Sequence, residues 1–120
     1  MKKKLWFADP QDHDYPAAKD YLELLYPVKI AEELVKQLQQ QPTIEKKAKD
    51  ILRASGLPLL PKDNIHVKQN IAKVKAGGKL SPVLLVRDTR LVVADGYHRL
   101  CSIYYLSEDL TIPCRLAGRD

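Results

Sequence analysis

Five consecutive residues, Asp95-Gly96-Tyr97-His98-Arg99, put a carboxylate, a glycine, a phenol, an imidazole and a guanidinium within little more than one turn of chain. An apolar run, Leu91-Val92-Val93-Ala94, leads into them, and Leu100-Cys101-Ser102-Ile103-Tyr104-Tyr105-Leu106 follows. The pattern predicts a strand ending at an acid and a glycine, then a helix with histidine and arginine in its first turn. A helix N-terminus presents free backbone N–H groups and a partial positive charge. Gly96, His98 and Arg99 at that point make a seat for phosphate.

Each residue carries a plain reading beside the chemical one. Arg99 can bridge two phosphate oxygens with its planar fork, or pair with Asp95. His98 can donate a hydrogen bond or shuttle a proton, or cap the strand–helix turn. Asp95 can hold Mg²⁺ through water; as the cap of the helix it has the commoner role. Tyr97 can stack on a base or ribose, or simply pack. Gly96 permits close backbone approach or a positive φ.

The elements that must position these groups follow from periodicity. A first helix opens near Tyr15-Pro16, with Leu22, Leu25 and Tyr26 sharing a face, and Pro27 ends it. Ile30, Ala31, Leu34, Val35 and Leu38 predict an amphipathic helix over 28–40. Ile44, Ala48, Ile51 and Leu52 continue the helical period up to the stop at Ser55-Gly56. Leu57-Pro58-Leu59-Leu60-Pro61 is an extended link. Asp63 or Asn64 caps a further helix with Val67, Ile71 and Val74 on its buried face, ended by Gly77-Gly78. The period then changes. Pro82-Val83-Leu84-Leu85-Val86 and residues 91–94 read as an antiparallel hairpin around Asp88-Thr89-Arg90. The motif helix spans about 96–107, and Thr111-Ile112-Pro113-Cys114-Arg115-Leu116 is a last strand whose proline marks an edge or a start. The expected class is α/β (α+β), a small mixed sheet with packed helices. Residues 1–56 form an N-terminal arm and helical extension, and 57–120 carry the motif, as one compact unit.

At 120 residues the chain suits one domain with a real core. The net charge of +5 is uneven. Residues 61–120 carry ten Lys/Arg against six Asp/Glu, whereas 1–60 carry ten against nine. A basic half suits an anionic ligand, nucleotide or nucleic acid, and equally serves solubility. Cys101 and Cys114 sit in apolar segments and read as free thiols of a reducing compartment. No apolar run approaches the roughly 18 residues of a membrane span. Lys2-Lys3-Lys4 precedes an apolar stretch too short for a signal peptide. The expectation is a cytoplasmic protein without membrane association. His13 and His66 stand alone, with no metal-ligand spacing.

Residues 57–118 resemble the ParB/sulfiredoxin superfamily. The resemblance rests on Leu59-Leu60-Pro61, the helix with Val67, Ile71 and Val74, and Leu80-Ser81-Pro82-Val83-Leu84-Leu85-Val86. Val92-Val93-Ala94-Asp95-Gly96-Tyr97-His98-Arg99-Leu100 and Thr111-Ile112-Pro113-Cys114 complete it. It implies nucleotide phosphates at Gly96-x-His98-Arg99, with Tyr97 beside them. It also implies ATP or CTP with Mg²⁺ as ligand, and hydrolysis or phosphotransfer in which Asp95 and His98 are catalytic. Tyr97 stands where sulfiredoxins carry the catalytic cysteine, so their repair chemistry is not expected. The helix–turn–helix domain that follows this module in partition proteins is not expected either. The glutamate base of the serine-kinase relatives has no clear counterpart.

Two other readings stand beside this one. A partition or phage accessory module would meet DNA backbone with Lys68, Lys73, Lys75 and Lys79, although a solvated helix face explains most of these lysines. A non-catalytic relative would use the helices of 15–56 to bind a protein partner or a second copy.

Overall fold

The computed structural model describes residues 5–118; the Lys2-Lys3-Lys4 run lies outside them. The elements run α1 (Asp14–Leu22), α2 (Val28–Gln40), β1 (Ile44–Lys47), α3 (Ala48–Ser55) and α4 (Ile65–Lys75). Then follow β2 (Val83–Arg87), β3 (Leu91–Asp95), α5 (Tyr97–Leu106) and β4 (Thr111–Gly118). The four strands form one mixed sheet in the order β1-β4-β2-β3. β2 and β3 make the antiparallel hairpin, β2 and β4 are parallel, and β1 and β4 are antiparallel.

The sheet is covered on both faces, which explains why Val83-Leu84-Leu85-Val86 is an unbroken buried run rather than an alternating one. Val83, Leu85 and Val93 pack toward α3 and α5, with Ile51, Leu100 and Ile103. Leu84, Val86, Ala94 and Ala117 pack toward α1 and α2, with Leu22, Leu34 and Leu38. Each fully buried leucine or valine contributes about 1.5–3 kcal/mol. A satellite cluster of Val67, Ile71 and Cys101 joins α4 to α5. β1 belongs to the same sheet as the motif strands, so the first 56 residues contribute a strand as well as covering helices.

Three expectations change. Residues 44–55 are not one helix: 44–47 form β1, in register with β4 from Ile44↔Cys114 to Lys47↔Thr111. Only Ile44 of that strand is even half-buried, so backbone pairing overrides the helical period there. The helix begins at Ala48, whose amide donates to the Leu110 carbonyl at 2.9 Å. The first helix stops at Leu22 and gives way to turns. Leu22 is buried, but Leu25 does not share its face and is 50% exposed; with Tyr21, Leu24 and Val28 it makes an apolar corner between α1 and α2. Finally, β4 is an interior strand. Pro113 is tolerated because the ladder to β2 begins only at Cys114, leaving residues 111–113 paired on the β1 side alone.

α4 starts as the sequence indicates. The Asn64 side chain accepts from the amides of His66 and Val67 at 3.0 and 3.2 Å. Asn64→Ala is expected to cost about 1 kcal/mol, seen as a lower midpoint at unchanged slope in urea unfolding.

Candidate functional site

β3 passes into α5 through a single residue. Gly96 is the N-cap of α5, with φ +112° and ψ +17°. A Cβ there would lie 2.9 Å from Val83 Cγ2 and 3.0 Å from an Arg99 terminal nitrogen. Glycine therefore serves both backbone conformation and close packing. Having no side chain, it leaves the first amides of α5 without a side-chain cap. Asp95 is not that cap: its carboxylate meets the Arg99 guanidinium at 2.9 Å.

Arg99 is a brace. Its Nε donates to the Ser81 carbonyl at 2.9 Å, and a terminal nitrogen donates to the Pro82 carbonyl at 3.2 Å. The guanidinium thereby ties α5 to the residues leading into β2, and the Asp95 and Arg99 side chains are only 17% and 18% exposed. Burial raises the Asp95 pKa from the ordinary carboxylate value, and the adjacent Arg99 opposes the rise.

Tyr97 turns away from this region and donates its hydroxyl hydrogen bond to the Pro58 carbonyl. It packs against the core rather than offering a platform for a base. Cys101 is buried beneath α4. Burial raises the thiol pKa of both cysteines, that of Cys114 to about 11.

A cleft of about 320 Å³ opens at the start of α5. One wall is α4, which presents His66, Gln69, Asn70 and Lys73. The chain entering α1 contributes Gln11, His13 and Asp14, and Asp95, Gly96, His98 and Arg99 also line the cleft. Neither His13 nor His66 stands alone. The His66 ring lies edge-on to His98 with centroids 4.8 Å apart, and His13 Nε2 is 3.4 Å from the Asp14 carboxylate. Asp14 is 2% exposed and accepts from the Gln11 amide at 2.8 Å. Ser81 donates to Gln11 Oε1 at 2.6 Å, pinning the entering chain to the cleft floor. Ser102 holds α5 against α4 by donating to the His98 and Val67 carbonyls at 2.7 and 3.2 Å.

Burial, then His66, then Arg99 lower the His98 pKa. His98 is therefore neutral at pH 7, with one nitrogen able to donate and the other to accept.

The four lysines do not form one strip. Lys73 faces the cleft, Lys68 and Lys75 flank a separate groove over Ile71 and Ala72, and Lys79 lies beside Trp6 and Pro113. Asp95 is committed to Arg99, and no group of three His, Cys, Asp or Glu side chains among the described residues is placed to hold a metal ion.

Gln69, Asn70, Gln11 and Asp14 were not legible from the motif alone. One signal was available: His66, Gln69, Asn70 and Lys73 recur at i, i+3, i+4 and i+7, a polar stripe at helical period beside the buried Val67-Ile71-Val74 face. No family model, no curated protein and no solved structure matches the chain.

Proposed function

We propose that the protein binds the phosphate groups of a nucleotide, ATP or CTP, in the cleft at the start of α5, as the ParB/sulfiredoxin resemblance implies. One observation carries the reading: the polar stripe of α4 and the uncapped N-terminus of α5 line the same cleft. Among the described residues, Lys73 has no ion pair and Gln69 and Asn70 have no side-chain hydrogen bond, so these groups are available to a ligand. The dipole end and Lys73 supply positive potential, and neutral His98 supplies a directed donor. Arg99 has a different place in this reading. It holds the start of α5 in position, because its guanidinium already serves two carbonyls and a carboxylate. Protonating His98 adds positive charge, so phosphate affinity rises as pH falls below the ordinary histidine value, where burial has moved its titration.

Titration calorimetry with ATP and CTP, with and without Mg²⁺, tests the proposal. Wild-type protein is expected to bind at least one of them, and Lys73→Ala to weaken binding about tenfold while leaving the melting temperature within about 2 °C, since Lys73 is exposed. Folded wild-type protein that gives no binding heat with either nucleotide would rule the reading out.

A further inference from the structure

We infer that the cleft recognises the sugar–phosphate part of its ligand and is indifferent to the base; this rests on the phosphate reading above. The lining suits hydroxyl groups. Gln69 and Asn70 each offer amide donors and an acceptor oxygen, and neither is engaged elsewhere among the described residues. The Asp14 carboxylate, 2% exposed, lies beneath the lining and holds the Gln11 backbone in place, leaving the carboxamides as the accessible hydroxyl partners. Two neighbouring carboxamides in a cleft that Lys73 and the start of α5 also line match ribose hydroxyls carrying phosphate.

The same lining does not match a base. A base is held by flat apolar or aromatic contact on its faces as well as by hydrogen bonds at its edge. Among the described residues the rings on the lining are imidazoles, and His66 and His98 are already set against each other. The one aliphatic lining residue, Leu80, is 2% exposed. Tyr97, the nearest phenol, is held at Pro58. Size agrees: about 320 Å³ lies at the small end of the roughly 300–1,000 Å³ of ligand pockets. That is room for a sugar with its phosphates, leaving a base at the open mouth.

The test is calorimetry at fixed ionic strength with ATP, CTP, GTP, UTP, ribose 5-phosphate and inorganic pyrophosphate. The four triphosphates are expected to bind within about threefold of one another, and ribose 5-phosphate to bind measurably. The double variant Gln69→Ala, Asn70→Ala is expected to weaken ribose 5-phosphate about tenfold and leave pyrophosphate within about twofold. Both positions lie away from the buried face of α4, so the variant keeps its fold. A preference above about tenfold for one nucleotide, or a double variant that binds ribose 5-phosphate like wild type, overturns the inference while pyrophosphate binding leaves the phosphate reading intact. No binding of any of the six, pyrophosphate included, overturns both.

Discussion

Arg99→Met is expected to lower stability by about 2–3 kcal/mol and the melting temperature by about 10 °C, measured without any ligand. The methionine keeps much of the side-chain volume but removes the cation from a half-buried carboxylate and leaves the Ser81 and Pro82 carbonyls without their donor. The pH dependence has a definite sign. Burial already raises Asp95 above its ordinary value, and loss of Arg99 raises it further. A carboxyl whose folded pKa exceeds its unfolded value binds more protons when folded, so stability is gained as pH falls through the folded value. The deficit of Arg99→Met is therefore larger at pH 7 than at pH 4.5. Adding Asp95→Asn to it restores part of the loss at pH 7, because no buried charge is left unpaired. Circular-dichroism melts of the two single variants and the double variant decide the matter. An Arg99 that served only as a phosphate clamp would leave the ligand-free melting temperature unchanged.

The second large effect is at Gly96. Gly96→Ala is expected to cost about 3 kcal/mol and to abolish nucleotide binding. The backbone there, at φ +112°, strains any L-residue by about 1–3 kcal/mol. The new methyl would also stand 2.9 Å from Val83 Cγ2 inside the core, where packing resists displacement. Relief would come only by shifting the start of α5, and with it the amides and His98. Gly77→Ala is the control: it also has positive φ, but a Cβ there meets nothing within 4 Å, so it reports backbone strain alone, about 1 kcal/mol. Denaturant unfolding of both variants separates strain from collision; equal losses would contradict the packing argument.

Much of the framework was legible because its signals are local. The 28–40 helix, the β2–β3 hairpin and the strand–glycine–helix junction follow from apolar period and punctuation. The Asn64 cap does too. What escaped depends on distant partners. Ile44-Glu45-Lys46-Lys47 continues a helical period with Ala48 and Ile51, yet becomes a strand because β4, more than sixty residues later, supplies its hydrogen bonds. The candidate site shows the same division. Asp95, Gly96, His98 and Arg99 announce themselves by type and spacing. That Arg99 is spent on Ser81, Pro82 and Asp95 depends on how β2 approaches α5, and that Gln11, His13 and Asp14 reach the cleft depends on where α1 lies. The α4 stripe was within reach, but its polar residues carry no information about what they face until α5 is in place.

The position of β4 has a consequence for the order of events during synthesis. Strand β1 leaves the ribosome early but touches the rest of the sheet only through β4, which lies between it and β2. Residues 44–47 thus have no ladder to join until residues 111–118 have emerged. The growing chain can close the β2–β3 hairpin locally, while the step that unites all four strands waits for one late segment to insert between two early ones. Assembly of this small domain is therefore governed by a long-range event, the arrival of β4 between β1 and β2.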